Sequence, residues 1–281
     1  MDIKAKTLKV HIAATSNPGS VSITAGGVAR NIAHNLARLG ADVRLLSIIG
    51  NDANGDMVLA ATKAAGVNIQ NVIRVDEATG TYLAVLDFNG EMITAINDMR
   101  LLTVEMIENC QYEIASASLV VADCNLSIDC LSAINAERLI IEPVSVPKSQ
   151  RLLQILKRRK IYVATPNLDQ IEALTGTRDP QSAAKILHAL GLQNIVIHAG
   201  LHGSYASDQK TFVHIPSQAK SIVDVTGAGD AATAGLVHGL LQNMSLEKAA
   251  KVGQDIAASV IASKLSTLSS FVIPAQAGIQ L

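Results

Sequence analysis

The chain has very few aromatic residues and no tryptophan. Phe and Tyr make up only 2% of its 281 residues, although apolar residues of all kinds reach 49%. The core must therefore be built from Ala, Val, Ile and Leu. No uninterrupted apolar run is long enough to span a bilayer, and no apolar segment of a signal peptide follows the N-terminal lysines. We expect a cytoplasmic protein with no membrane partner.

The chain also has few cysteines, almost no excess charge and no Walker nucleotide-binding motif. The three cysteines, Cys110, Cys124 and Cys130, form no Cys-x-x-Cys pair, so neither a disulfide framework nor a zinc site is favoured. Lys and Arg number 23 against 24 Asp and Glu, which argues against nucleic acid as a partner. The Walker pattern Gly-x4-Gly-Lys-Ser/Thr does not occur, and this disfavours a P-loop nucleoside triphosphatase.

The order of predicted strands and helices indicates one α/β domain. Two segments, 8–25 and 78–97, alternate polar and apolar residues, and Asn89-Gly90 predicts a hairpin turn in the second. The remainder alternates buried strands, such as Val43–Ile49, with amphipathic helices, which predicts a parallel sheet covered on both faces. The two strand-like segments form a small β appendage.

The run from Asp224 to Asp230 carries the strongest chemical signal. Gly227 and Gly229 precede an Ala-rich helical pattern, and backbone N–H groups at a helix N-terminus bind anions. Asp230 on the first turn could take a proton from a hydroxyl that attacks a phosphate. Gly227, Gly229 and Ala232 also fit a loose dinucleotide fingerprint, but only about fifty residues follow, so a dinucleotide-dependent oxidoreductase is disfavoured.

Three further turns suit a polar ligand, although each alone could be a plain loop or helix cap. Gly26-Gly27 opens a helix that carries Asn31, whose amide both donates and accepts hydrogen bonds. The stretch from His198 to Gly203 ends a strand with two spaced glycines. Asn167 ends another strand ahead of acidic and amide residues that could hold water on Mg²⁺. Four such turns at one edge of a parallel sheet indicate a ligand site.

With these residues in view, the chain resembles the ribokinase-like, or PfkB-type, carbohydrate kinases over nearly its whole length. The run Asp224-Val225-Thr226-Gly227-Ala228-Gly229-Asp230 looks like the family's C-terminal signature, and Gly26-Gly27 with Asn31 looks like its N-terminal one. The resemblance implies a three-layer α/β sandwich with a mostly parallel central sheet. Residues 1–281 would form a single domain, with a β lid from about 3–25 and 78–99.

Softer strings resemble the pseudouridine-phosphorylating members of that family. They are Gly27-Val28-Ala29-Arg30-Asn31-Ile32-Ala33, Tyr82-Leu83-Ala84-Val85-Leu86-Asp87, Ala95-Ile96-Asn97-Asp98-Met99, Asp123-Cys124-Asn125-Leu126 and Glu142-Pro143-Val144-Ser145. The implied reaction is ATP-dependent phosphorylation of the 5′-hydroxyl of a nucleoside, with other ribose-like sugars and nucleosides left open. Relatives also imply a homodimer formed through the lid.

The resemblance assigns roles residue by residue. Asp230 would be the base, and the amides of Gly227, Ala228 and Gly229 would stabilise the transferring phosphoryl group. The sugar would be held by Asp2, Gly26, Gly27, Asn31 and Asn125. The ATP site would include Asn167, His198, Gly200, Gly203 and Gln254. Asp224 and Thr226 would belong to a monovalent-cation loop for K⁺, and Mg²⁺ would accompany ATP.

Three departures from the family pattern put activity in doubt. The family's Asn-x-x-Glu motif has Gln170 in its fourth position, and Glu172 lies two residues on; both are weak candidates for the Mg²⁺ shell. Asp2 stands where relatives have already completed a first core strand, so that strand is expected to be missing. Residues 269–281 do not resemble the family's closing segment. The alternative hypothesis is a non-catalytic or poorly active remnant of such a kinase.

Overall fold

The computed structural model describes residues 1–219, 227–263 and 267–269. Its strands are β1 (Asp2–Thr7), β2 (Gly19–Thr24), β3 (Ser47–Gly50), β4 (Val72–Val75), β5 (Thr81–Leu86), β6 (Met92–Asp98), β7 (Val120–Asp123), β8 (Leu139–Glu142), β9 (Ile161–Ala164), β10 (Leu192–His198), β11 (Ser204–Ser207) and β12 (Phe212–Ile215). Its helices are α1 (Val28–Arg38), α2 (Ala53–Ala64), α3 (Val104–Glu108), α4 (Gln111–Ser116), α5 (Ile128–Ala133), α6 (Val146–Leu156), α7 (Leu168–Thr175), α8 (Pro180–Ala189), α9 (Ala228–Leu241) and α10 (Leu246–Ile261). Within these ranges, no helix combines the length and apolar character needed to cross a membrane.

The larger sheet has the strand order β12-β11-β10-β9-β8-β7. Strands β7 to β10 are parallel, whereas β11 and β12 each pair antiparallel with the strand before them. All four residues of β8 are buried, because helices cover both of its faces. Ile140 packs with α1 and α9, while Leu139 and Ile141 pack with α6, α7 and α8 on the opposite face. The predicted three-layer α/β fold with a mostly parallel sheet is confirmed.

The close contact between α9 and α10 depends on glycine. A Cβ atom on Gly235 would lie 2.7 Å from the Cα atom of Gly253, which is too short for any side chain. The two helix backbones therefore touch directly. This contact fixes the position of α9, and with it the position of the first turn on which Asp230 lies.

A second sheet contains the four strands β2-β1-β5-β6. Strand β5 pairs antiparallel with β6 around Asn89-Gly90, so the predicted hairpin is confirmed. The strand-like segment 8–25 is only partly a strand: β1 ends at Thr7, β2 starts at Gly19, and the residues between them form a connection. There the amide of Asn17 bonds to both the N–H and the C=O of Ile12, which takes these groups out of any strand ladder.

The two faces of this sheet differ in character. Pairing places Ile23, Ile3, Leu83 and Ile96 in one row across all four strands, so one face is apolar. The opposite face carries Asp2, Tyr82 and Asn97, which line the large cavity described below.

Strands β3 and β4 form a separate parallel pair. The strand predicted over Val43–Ile49 begins only at Ser47, because before that point Arg44 forms a single isolated bridge to Asn68. Apolar residues next to β3, including Leu45, pack against Ala33 and Ala37 of α1. Helix α1 thus packs against the β3–β4 pair and also against the β7 edge of the larger sheet.

Candidate active site

The first turn of α9 presents one carboxylate and backbone N–H groups that the helix itself does not bond. Gly227 caps the helix with φ of 79°, a left-handed conformation that favours glycine. The first helical hydrogen bond runs from the N–H of Ala231 to the C=O of Gly227, so the helix itself does not satisfy the N–H groups of Ala228, Gly229 and Asp230. Such a turn attracts anions. Asp224 and Thr226, predicted to bind a monovalent cation, lie outside the described residues.

Asp230 is held by Asn31 across the interface between α9 and α1. The Nδ2 atom of Asn31 donates to Oδ2 of Asp230 at 2.8 Å, and Asn31 is 4% exposed. Burial raises the pKa of Asp230 well above its ordinary value, and the nearby charges of Glu142 and Asp123 raise it further, against the lowering effect of the Asn31 hydrogen bond. The carboxyl group is therefore a stronger base than an exposed aspartate, as proton abstraction from a hydroxyl requires.

The Gly26-Gly27 pair brings the backbone against the carboxylate of Asp2. A Cβ atom on Gly26 would lie 2.0 Å from Cγ of Asp2, and Gly27 caps α1 with φ of 106°. Arg30 is buried behind them and donates to Oδ1 of Asn31 at 3.1 Å. Burial raises the pKa of Asp2, while the charges of the Met1 ammonium group and Arg30 lower it.

The carboxyl end of β7 supplies a third group of polar side chains. Oδ1 of Asp123 accepts from the N–H of Asn125 at 2.8 Å, and Oδ2 accepts from the N–H of Ala29 at 3.3 Å at the start of α1. Nζ of Lys148 donates to Oδ1 of Asn125 at 2.5 Å. These contacts tie the end of β7 to α1 on one side and to α6 on the other.

All the predicted sugar-binding residues and the predicted base line one cavity of about 1070 Å³. It opens between the lid-like sheet, α1, α9 and the carboxyl end of β7, and its polar lining includes Asp2, Gly26, Gly27, Asn31, Asn125, Lys148, Gly227 and Asp230. Tyr82 and Asn97 face it from the four-stranded sheet. This arrangement places amide and carboxylate side chains and a helix N-terminus around one space.

The predicted nucleotide side lies at the ends of β9 and β10. Asn167 and His198 form a parallel bridge there, and the N–H of His198 donates to the C=O of Pro166 at 2.8 Å. Asn167 and Gln170 form a reciprocal capping box at the start of α7, with bonds of 2.8 and 2.9 Å. Glu172 is exposed and forms an ion pair with Arg178 at 2.8 Å.

The remaining nucleotide-side candidates are spread over a turn and a helix. Gly200 and Gly203 have φ of 58° and 90°, and they bracket a tight turn after β10. Nε2 of His198 is buried and has no hydrogen-bond partner within the described ranges; burial lowers the pKa of this side chain to about 4. Gln254 is 7% exposed on α10, which contacts β11 and β12. None of these residues lines the large cavity.

Four polar residues of this region were not predicted as site residues. Asp123 and Glu142 each end a short, buried, β-branched strand, and an acid in that position is a signal that could have identified them. Glu142 accepts from Thr165 at 2.5 Å and from Thr233 at 3.2 Å. Arg30 and Lys148 could not be identified in this way. Each lies in a helical pattern, where a charged side chain is usually exposed to solvent.

A buried carboxylate on the first turn of a helix, beside a polar cavity at the carboxyl ends of parallel strands, is the arrangement expected of a phosphotransferase with an alcohol acceptor. Comparison with known families agrees: the model of the pfkB family of carbohydrate kinases matches residues 1–271, and the chain belongs to that family.

Relatives within the family act on different acceptors. The chain is 36% identical over 255 residues to a pseudouridine kinase of Escherichia coli K12, covering 86% of this chain and 81% of that one. It is 30% identical over 287 residues to a guanosine-inosine kinase of Exiguobacterium acetylicum, covering 94% and 92%. The ribokinase of Thermotoga maritima shares the fold, with a TM-score of 0.83 at 22% identity over 94% and 91% of the two chains. The protein is thus a sugar or nucleoside kinase of the pfkB type that uses ATP.

Proposed function

We propose that this protein transfers the γ-phosphoryl group of ATP to the 5′-hydroxyl of a nucleoside, with pseudouridine as the preferred acceptor. The observation that carries the proposal is the position of Asp230, which shares a cavity with the sugar-side residues and lies on the turn whose N–H groups are not bonded within the helix. The preference for pseudouridine is supported by the 36% identity to the pseudouridine kinase of Escherichia coli.

Asp230 acts as the general base. Its raised pKa strengthens the carboxylate as a proton acceptor, and the hydrogen bond from Asn31 fixes the orientation of the carboxyl group. The 5′-hydroxyl gives its proton to Asp230 as its oxygen attacks the γ-phosphorus of ATP, and the bond from that phosphorus to the β–γ bridging oxygen breaks, so that ADP leaves. The amides on the first turn of α9 stabilise the charge on the transferring group.

The sugar-side residues orient the acceptor. The carboxylate of Asp2 accepts hydrogen bonds from ribose hydroxyls, Gly26 and Gly27 allow the sugar to approach the backbone, and Asn31 and Asn125 offer amide groups. Lys148 and Asn125 lie beside each other at the end of β7 and supply donors for the carbonyl oxygens of a uracil ring. This combination suits a nucleoside better than a free sugar.

The nucleotide side fits ATP through the turn after β10. Nε2 of His198, which has no hydrogen-bond partner in the part of the chain that the structure describes, offers a polar contact. Asn167, Gly200, Gly203 and Gln254 stay predictions as further contacts. ATP, with Mg²⁺, supplies the phosphoryl group when bound. Gln170 could hold a metal-bound water, because its side-chain carbonyl oxygen accepts one hydrogen bond in the capping box and keeps a second lone pair. Glu172 could do so only after its ion pair with Arg178 breaks.

The direct test is an ADP-release assay with a panel of nucleosides and sugars, run in potassium and in tetramethylammonium salts. We expect pseudouridine to give the highest kcat/KM and potassium to raise the rate. Activity confined to ribose or to purine nucleosides would refute the acceptor assignment. No ADP release with any acceptor, despite a normal thermal transition, would favour the alternative of a non-catalytic relative.

The four-stranded sheet is proposed as a lid that also pairs two subunits. Its polar face lines the cavity, while its apolar face leaves Ile23 and Ile96 more than half exposed, at 53% and 58%, and Val21 at 68%. An exposed apolar face of this kind is typical of an interface. Light scattering should give twice the chain mass, and Ile23→Lys should give the monomer mass. A wild-type monomer at micromolar concentration would refute the pairing.

A further inference from the structure

Arg30 is a buried cation on α1 to which the proposed mechanism gives no role. Its side chain is enclosed, with 7% of the residue exposed. The guanidinium group donates to Oγ1 of Thr62 on α2 at 3.1 Å and to the C=O of Ala25 at 3.2 Å. It also donates to Oδ1 of Asn31 at 3.1 Å, and its Nη2 atom lies 3.0 Å from Nδ1 of His34. Burial lowers the pKa of Arg30 only to about 10, so the group is a cation at neutral pH.

The ring of His34 has only one arrangement of protons that fits its neighbours. Its Nε2 atom lies 3.0 Å from the C=O of Leu268, and a carbonyl oxygen can only accept, so Nε2 carries the hydrogen. The other ring nitrogen, Nδ1, is then an acceptor for Arg30. Burial lowers the pKa of His34 to about 4, which keeps the ring neutral at pH 7. Leu268 is itself fixed, because its N–H donates to Oδ1 of Asn35 at 2.8 Å.

The same reasoning fixes the orientation of the Asn31 amide. A carboxamide has a donor end and an acceptor end, and a rotation of 180° exchanges them at little steric cost. Because a guanidinium group can only donate, Oδ1 of Asn31 must face Arg30. Its Nδ2 atom then faces Asp230 and donates to Oδ2 at 2.8 Å. The rotated amide would place donor against donor at Arg30 and oxygen against oxygen at Asp230.

The orientation of this amide matters because the other surroundings of Asp230 oppose its charge. Burial raises the pKa of Asp230, and the charges of Glu142 on β8, Asp123 on β7 and Asp2 on β1 raise it further. The hydrogen bond from Asn31 on α1 acts in the opposite direction. A carboxyl group accepts a proton only while it is ionised. An amide that turned its oxygen toward Asp230 would therefore weaken its ability to act as a base.

We propose that Arg30 is a positioning residue for phosphoryl transfer, which locks the amide of Asn31 with its N–H toward Asp230. His34 holds the guanidinium group against that amide, and the backbone at Leu268 sets the proton arrangement of His34. The inference rests on the proposed role of Asp230 as the base. A purely structural Arg30 would instead only join α1 to α2 through Thr62, and the experiments below separate these two roles.

A double-mutant cycle on the full chain measures whether Arg30 acts through Asn31. In the ADP-release assay with pseudouridine, Arg30→Met should lower kcat at least tenfold and leave KM for ATP within twofold of wild type. In an Asn31→Ala background, the same substitution should change kcat less than twofold. Because Arg30→Met leaves buried acceptors unpaired, the cycle is repeated with Arg30→Lys. That variant keeps the charge but not the planar fork, and it should lower kcat at least threefold.

Exchange of the Asn31 side-chain amide with solvent reports its orientation without any need for catalysis. Heteronuclear NMR identifies this amide by the loss of its signals in Asn31→Asp. We expect its exchange to be at least tenfold faster in Arg30→Met than in wild type. Thr62→Val is the matched control, because it removes a different bond of the same guanidinium group. It should lower Tm but leave both kcat and the amide exchange within twofold of wild type.

Three results would each overturn the inference. They are an equal loss of kcat for Arg30→Met in both backgrounds, unchanged amide exchange in Arg30→Met, and a loss of kcat in Thr62→Val as large as that in Arg30→Met. A normal kcat for Asp230→Asn would refute the assignment of the base instead, and the exchange measurement would still decide whether Arg30 orients Asn31. A slow Asp230→Asn variant together with an unchanged Arg30→Met variant would refute the role of Arg30 alone.

Discussion

Replacing Asp230 with Asn should slow catalysis strongly and stabilise the fold at the same time. The change is isosteric, and Nδ2 of Asn31, which now donates at 2.8 Å, can donate to the new carbonyl oxygen. The variant loses the base, for which a decrease in kcat of about 10²–10⁴-fold is expected. This corresponds to about 2.7–5.4 kcal/mol of transition-state stabilisation.

The stability effect has the opposite sign because of the raised pKa. Between the ordinary carboxyl pKa of 3.8 and the raised pKa in the folded state, the folded protein binds more protons than the unfolded chain. Its free energy of unfolding therefore decreases as the pH rises through that window. The amide introduced by Asp230→Asn carries no charge, so the variant escapes this loss. We expect a higher Tm than wild type at pH 8 and a smaller difference at pH 4.

Two measurements on the same protein check the reasoning. ADP release with pseudouridine gives kcat, and differential scanning calorimetry at pH 4 and pH 8 gives Tm. A kcat within threefold of wild type would show that Asp230 is not the base. A lower Tm at pH 8 would show that the carboxylate of Asp230 is stabilised by its surroundings, contrary to the burial described here.

Three further substitutions probe other parts of the site. Gly26→Ala would place a Cβ atom 2.0 Å from Cγ of Asp2. The KM for the nucleoside should therefore rise at least tenfold, while the KM for ATP stays unchanged. Equal changes in both KM values would refute a sugar-side role for Gly26. Gln170→Glu keeps the capping box but adds a charge, and it should lower the Mg²⁺ concentration needed for half-maximal rate, whereas Glu172→Gln should not change it. Burial raises the pKa of Glu142 from 4.5 to about 7, so this group alone should lower the free energy of unfolding by about 3 kcal/mol from pH 4.5 to pH 7.5, in addition to the decrease caused by Asp230. Urea titrations of Glu142→Gln should therefore show a flatter pH profile than wild type, and parallel profiles would contradict the buried charge.

Sequence patterns predicted the elements whose signals are local. Asn89-Gly90 specified the hairpin, because few residues tolerate the backbone angles of such a turn. The strand-then-glycine pattern before Asp230 placed that acid on the first turn of a helix, where the structure has it. Alternation of apolar strands and amphipathic helices was sufficient for the fold class.

Contacts between distant segments could not be predicted in this way. Gly26 was expected to free the backbone for a ligand, but its position is also set by the carboxylate of Asp2, 24 residues earlier. Lys148 belongs to the cavity only because α6 starts beside the end of β7. Gln170 was interpreted as a lost metal-binding acid, whereas its side chain closes a capping box, a local role that the Asn167-x-x-Gln170 spacing itself allowed.

The hydrogen bond between Asn31 and Asp230 has a consequence for the binding of the acceptor. It joins α1, which carries the proposed sugar-binding residue Asn31, to α9, which carries the proposed base Asp230. On the proposed function, the amide of Asn31 occupies Oδ2 of that base before the acceptor arrives. A 5′-hydroxyl that gives its proton to Oδ2 then competes with a side chain that is itself proposed to bind the ribose.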